Sequence, residues 1–239
     1  MSITIIAEVA TGHAGDLDIA SDMIRAAADS GADYVKFQTY DLAKLNPQDP
    51  QAAWLKQAHL DRADHELLMR VCEQVGVKFL STPFDPTSHR MLLDLGLHTF
   101  KIASSEAHRG WWRHSGEYIV SWPWGEQKPV HYGQITNDNA WVVTWNLTAI
   151  PLYPTPLEAV GRATMLDGWS DHCVGLEACQ MALALGATAI EAHLTLPGKS
   201  RQMPWDKTPE QFKQLRDFAD KCETMRSGVG ATFRKRWSV

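Results

Sequence analysis

The sequence predicts an α/β protein, a TIM (β/α)8 barrel with one or two outer helices shortened or replaced, and three observations carry that prediction. Four times a helix-like stretch runs into a glycine and on into a short apolar strand: Gly31–Gln38, Gly76–Thr82, Gly96–Ser104 and Gly186–His193. Glycine is common just past a helix because it takes the left-handed conformation that satisfies the last carbonyls. Each of these strands ends on polar, reactive side chains, among them Lys36, Thr82, Lys101, Ser104, Glu191 and His193. In a barrel of parallel strands such ends converge on one mouth, where active sites are built. Finally, strand and helix alternate early in the chain and again in its last third, as crossover connections require.

The elements follow in order. Ile3–Ala10 reads as a buried strand, and Asp16 caps a helix to about Ser30 with Leu17, Ala20, Met23, Ile24 and Ala27 on one face. The strand at Tyr34–Phe37 leads into a polar loop from Tyr40 to about His59. Helices near Asp61–Val75 and Thr87–Leu95 alternate with strands at Val77–Leu80 and Thr99–Ile102. Past Gly168–His172, a helix near Leu176–Leu185 precedes the strand to His193. Thr208-Pro-Glu-Gln211 then opens the last helix with a cap, a proline at its first position and a capping-box glutamine. The middle breaks the rhythm. Pro129–Ile135, Thr136–Asn139 and Ala140–Trp145 read as a β-hairpin, and Pro154–Trp169 leaves little room for a helix.

A chain of 239 residues suits one domain, 1–239, and 44% apolar content is enough for a sizeable core. The net charge of −5 argues against nucleic acid and anionic membranes as partners. The N-terminus lacks the basic and apolar regions of a signal peptide, and no stretch approaches a transmembrane span. Cys72, Cys173, Cys179 and Cys222 lack CxxC spacing and read as reduced, mostly buried thiols. A cytoplasmic protein is the expectation.

Three constellations carry chemistry. Lys36, Thr82, Lys101, Ser104, Ser121 and Ser170 offer two ammonium groups and four hydroxyls at strand ends, a set suited to phosphate and carboxylate oxygens. Surface lysines and strand-ending hydroxyls are the bland alternative. Against it, both lysines sit in buried-looking strands, where an unpaired charge is costly. His172 and His193 end successive strands and suit an open divalent site, Mn2+ or Mg2+, with Asp171 and Glu191 as supporting carboxylates. Glu8, His13, Gln38, Tyr153 and Glu191 form the third group; Glu8 stands in an apolar strand, where a carboxylate needs a partner or a catalytic purpose. His59, His65 and His89 read as ordinary surface residues, and Asp16 and Asp18 as a helix cap and a first-turn acid.

Several segments resemble the N-acetylneuraminate (sialic acid) synthase family: Ile6–Asp18, Val35–Tyr40, Phe79–Asp85, Phe100–Ser104, Tyr153–Pro156, Ser170–His172 and Glu191–Thr195, in family order over most of the chain. The resemblance implies a barrel that condenses phosphoenolpyruvate with a sugar or sugar-like aldehyde to give a nonulosonic-type 2-keto acid and phosphate. It places phosphoenolpyruvate on Lys36, Thr82, Lys101, Ser104, Ser121 and Ser170 and the metal on His172 and His193. Glu8, Gln38, Tyr153 and Glu191 then face the sugar or the reacting centre, with Glu8, Lys101 and Glu191 catalytic. It also suggests a homodimer.

The departures from the family lie on the sugar side. Thr148-Ala149 replaces a His-Cys pair, Pro151 replaces a polar residue, and Ser121-Trp-Pro replaces Ser-Thr-Gly. Met203-Pro-Trp-Asp206 stands for Gly-Pro-Asp, with Asp206 in the aspartate's place. The sequence ends at Val239, so the family's C-terminal antifreeze-like domain is not expected. An altered acceptor follows as an expectation. The alternatives are a non-catalytic, synthase-derived binding protein and an enolpyruvyl transferase. Trp111, Trp112, Trp122, Trp124, Trp141 and Trp145 could line an acceptor pocket or replace missing helices as packing, and packing is the preferred reading.

Overall fold

Strand β1 (Thr4–Ala10), helix α1 (Leu17–Asp29) and strand β2 (Tyr34–Thr39) begin the chain as its pattern predicts. The computed structural model describes residues 2–125, 133–135, 140–161 and 166–232. Helices α2 (Ala52–Gln57) and α3 (Arg62–Val75) follow, then β3 (Lys78–Pro83), α4 (Pro86–Asp94) and β4 (Thr99–Ile102). Next come β5 (Gly116–Pro123), β6 (Gly133–Ile135), β7 (Ala140–Ala149) and α5 (Leu157–Val160). The last elements are β8 (Gly168–Asp171), α6 (Glu177–Ala184), β9 (Ala189–His193) and α7 (Pro209–Thr232).

The strands run in the order β3-β2-β1-β9-β8-β7-β5-β4, and every neighbouring pair along that path is parallel. The two ends of this order, β3 and β4, lie against each other without a hydrogen-bonded ladder, so the eight-stranded barrel is nearly closed. Local signals set the helix ends. Asp16 Oδ1 accepts from the Asp18 and Ile19 amides at 2.9 and 3.0 Å, and Asp61 and Asp64 form a reciprocal capping box on α3. Thr208 and Gln211 pair in the same way at α7.

Among the described residues, helices are curtailed between β4 and β8. Only turns join β4 to β5, the antiparallel β6 pairs with β7 as the hairpin pattern predicts, and α5 is a single turn. The predicted hairpin turn at 136–139 lies outside the described residues. Aromatic side chains fill this side of the barrel. Trp112, Trp122 and Trp141 are buried, and the Trp112 ring lies 5.1 Å from Tyr118 and 5.8 Å from Trp141. Each such ring removes roughly 150–250 Å² from water, enough to cover strands that lack a full helix.

The core has two parts. A large outer layer packs the strands against the helices, and a small inner layer of Ile6, Tyr34, Leu80, Ile119, Leu147 and Ala189, with Trp145 against it, plugs the barrel. His65 and His89 correct the sequence reading, because both are buried. His65 bonds Thr39 Oγ1 at 2.8 Å and the Asp61 carbonyl at 2.6 Å, and His89 bonds the Tyr118 hydroxyl at 3.0 Å. The four cysteines are free and buried. Among the described residues no helix is long and apolar enough to cross a membrane.

Candidate active site

The site follows from the two-residue period of a strand. One step up from the inner apolar layer, Ile6 gives way to Glu8, Tyr34 to Lys36, Leu80 to Thr82, Ile119 to Ser121 and Ala189 to Glu191. A second step reaches Gln38 and His193. Lys101 joins from β4 and Ser170 from β8, with His172 just past the β8 end. These side chains line a cavity of about 500 Å³ at the carboxyl ends of the strands, together with Ser104, Tyr153 and Asp206. The structure therefore brings every sequence-predicted catalytic, substrate and metal residue to one cavity. His13 stands apart from it, buried with Nδ1 accepting the Gly15 amide at 3.1 Å.

A buried charge network forms its floor. Lys36 Nζ pairs with Glu8 Oε2, donates to Thr82 Oγ1 at 3.0 Å and lies 3.7 Å from Glu191 Oε2. Lys101 Nζ donates to Ser121 Oγ at 2.7 Å and to the Ile102 carbonyl at 3.0 Å, and also lies 3.7 Å from Glu191 Oε2. Ser170 Oγ donates to Glu191 Oε1 at 2.8 Å. Two lysines thus share two carboxylates, as buried charge requires.

The two carboxylates differ in protonation. Burial pushes Glu8 up to about 7, and Lys36 only partly offsets it. Burial also acts on Glu191, but Lys101 and Lys36 outweigh it and hold that group at about 2. Lys101 falls to about 8, because burial exceeds the support of Glu191. The floor therefore contains one permanent carboxylate and one poised near neutrality, the arrangement that separates charge stabilisation from proton transfer.

Above the floor sit the two imidazoles, with ring centroids 5.5 Å apart. His172 Nδ1 donates to the Ile150 carbonyl at 3.1 Å, which leaves the Nε2 lone pair free. Burial lowers the pKa of both rings, so both are neutral donors. Among the described residues no group of three or more His, Cys, Asp or Glu side chains is placed to hold a metal. The donor set fits a cation that keeps most of its positions for water or substrate. The expected carboxylate support differs from the prediction. Asp171 is taken by Trp169 Nε1 at 2.8 Å and Lys207 Nζ at 2.6 Å, and Glu191 faces the lysines. Asp206 Oδ1 lies 3.9 Å from His193 Nδ1, and burial raises its pKa to about 6.

The outer wall holds residues that the sequence reading missed. Met203, Trp205 and Arg201 line the cavity from the segment after β9, and Leu55 of α2 and its N-cap Gln51 from a helix inside the stretch expected to be a polar loop. Arg201 stacks over Trp54 at 4.2 Å, and Trp205 packs on Tyr153 at 5.4 Å. The Trp205 Nε1–H is buried without an acceptor among the described residues. An apolar pair beside Asp206 was the available signal for Met203 and Trp205; Arg201 had none. None of the tryptophans from 111 to 145 lines the cavity, in keeping with the packing reading.

Comparison with known proteins gives this geometry a context. The N,N'-diacetyllegionaminic acid synthase of Legionella pneumophila is 30% identical, over 94% of this chain and 73% of its own. A protein of the same name from Campylobacter jejuni is 29% identical, over 97% of this chain and 78% of its own. The crystal structure of an N-acetylneuraminic acid synthetase from Leptospira borgpetersenii shares the fold, with a TM-score of 0.77 and 22% identity over 95% of this chain and 85% of that one. The NeuB family model matches residues 23–110 and 146–232, stretches that hold Lys36, Lys101, His172 and Glu191, and the chain belongs to the NeuB family.

Proposed function

We propose that this protein condenses phosphoenolpyruvate with the aldehyde of a sugar or sugar-like acceptor, releasing phosphate and a nonulosonic-type 2-keto acid. The observation that carries this reading is the buried network of Lys36, Lys101, Glu8 and Glu191 beneath two neutral imidazoles, ringed by Thr82, Ser104, Ser121 and Ser170. Membership of a family whose similar members are named as legionaminic acid synthases supports the reaction class.

The residues act as follows. Lys101 and Lys36, with the surrounding hydroxyls, bind phosphate and carboxylate oxygens by charge-assisted hydrogen bonds. Holding both substrates in one cavity makes the encounter oriented rather than bimolecular. C3 of the enol attacks the aldehyde carbon, and the ionised Glu191 is the group suited to stabilise the positive character that develops at C2. Glu8 takes a proton from the water that adds to C2, and its pKa near 7 suits that task. The tetrahedral centre then expels phosphate, whose charge the lysines stabilise. One proton of the water ends on the new hydroxyl and the other leaves with phosphate. His172 and His193 would hold the divalent cation, Mn2+ or Mg2+, which when bound supplies Lewis acidity toward a carbonyl oxygen. Tyr153, Trp205, Met203 and Pro151 form the acceptor side of the cavity, and this apolar wall supports an altered acceptor.

The test is phosphate release from phosphoenolpyruvate across a panel of N-acylated hexosamines and shorter aldehydes, with mass spectrometry of products. A 2-keto acid whose mass is the sum of the acceptor and pyruvate supports condensation. An enolpyruvyl ether, or no turnover together with no phosphoenolpyruvate binding, overturns it.

A further inference from the structure

Lys207 does not line the cavity, yet it reaches both strand ends that carry the imidazoles. Its ammonium group is fully buried and has three acceptors for its three protons: Asp171 Oδ2 at 2.6 Å, the Cys173 carbonyl at 2.7 Å and the Trp205 carbonyl at 2.7 Å. The other Asp171 oxygen accepts Trp169 Nε1 at 2.8 Å, so that carboxylate is also satisfied. Asp171 and Cys173 are the residues on either side of His172. The Lys207 amide donates to the His193 carbonyl at 2.7 Å, and its carbonyl accepts the Thr195 amide at 2.9 Å. A short parallel bridge between Leu194 and Lys207 closes the loop between them at its neck.

A buried ion pair is a weak source of stability, because the desolvation of two charges offsets much of their attraction, and apolar residues of like volume often serve as well. What this pair provides is a fixed connection. We infer that Lys207 is a positioning residue: gripping the backbone and carboxylate on both sides of His172 while its own backbone is bonded to His193, it sets the spacing and orientation of the two rings. It also holds Asp206, the residue before it, beside His193. The inference builds on the reading of the two imidazoles as one cation site, but ring order in the metal-free protein is its direct consequence.

The experiment uses the full chain. Imidazole ¹H–¹⁵N spectra and Mn2+ titrations are recorded for wild type, Lys207→Met, the charge-free double variant Asp171→Asn/Lys207→Met, and Leu215→Ala, a core-packing control on α7, outside the loop. The double variant leaves no unpaired buried charge, so it guards against simple unfolding of Lys207→Met. The expected result is that the His172 and His193 ring signals shift or broaden in both Lys207 variants while those of His13 and His65 hold. The Mn2+ dissociation constant should rise about 10–100-fold, with Leu215→Ala near wild type in both readouts. Folded Lys207 variants with wild-type ring signals overturn the inference, as does an equal disturbance of those rings by Leu215→Ala. Absence of Mn2+ binding in wild type would sink the cation reading, and the ring spectra would still decide the role of Lys207.

Discussion

Glu8 and Lys36 stand opposite each other in the register of β1 and β2, and their side chains form a buried ion pair at the base of the cavity. This pair links the first strand to the rest of the floor, because Lys36 continues to Thr82 and Glu191, and Glu191 to Lys101 and Ser170. In the proposed reaction, proton transfer and anion binding are therefore coupled through one lysine.

Glu8→Gln keeps the shape of the side chain and removes its charge. Turnover should fall by about 10²–10⁴-fold, the usual contribution of a general base. Affinity for phosphoenolpyruvate should stay the same or tighten, since Lys36 is released from its carboxylate. Initial rates of phosphate release and a calorimetric titration separate the two quantities, and a large loss of affinity with turnover intact would contradict the assignment.

Ser121 orients Lys101 through a 2.7 Å hydrogen bond. Ser121→Ala should weaken phosphoenolpyruvate binding by about 3–10-fold, the scale of one net hydrogen bond. Lys101→Met, which removes the charge itself, should weaken it by about 100-fold or more. Equal effects of the two variants in equilibrium titrations would count against this division of labour.

Gly168 begins β8 in register with Leu147 and Ala189 of the inner plug. A Cβ there would come within 2.3 Å of the Ala189 carbonyl oxygen and 2.6 Å of Leu147 Cδ2. Gly168→Ala should destabilise the fold by about 1–3 kcal/mol through overpacking. Urea unfolding measures this directly, and a midpoint unchanged from wild type would show that the plug has slack.

His13 connects stability to pH. Burial lowers its pKa from 6.5 to about 4, so the folded chain resists a proton that the unfolded chain accepts. Above pH 6.5 neither state is protonated there and stability does not change on this account. Between pH 6.5 and 4 stability falls as pH falls, by on the order of 1–2 kcal/mol at pH 5. His65 and His89 are lowered by burial too and add in the same direction. Urea unfolding at pH 7 and pH 5 should show a smaller difference for His13→Asn than for wild type.

Much of this architecture was readable because periodicity and chemistry coincide. The polar strand ends at Lys36, Thr82, Lys101, Glu191 and His193 interrupt buried apolar runs at the positions where a two-residue period points inward, so sequence alone could gather them. The buried histidines were misread because His65 and His89 lie on helices with polar neighbours, and their partners Thr39 and Tyr118 are distant in sequence. Asp171 was assigned to its neighbour His172, whereas the stronger claim comes from Lys207, which only the closed loop after β9 brings near. Arg201 and Trp205 escaped for the same reason: their positions depend on how that loop folds back.

The most direct measurement is calorimetric titration of phosphoenolpyruvate, with and without Mn2+, into wild type, Lys101→Ala and His172→Ala. The proposed site predicts metal-dependent binding to wild type that Lys101→Ala abolishes and that loses its metal dependence in His172→Ala. No binding to wild type, or binding untouched by either substitution, would contradict the assignment of this cavity as a phosphoenolpyruvate site.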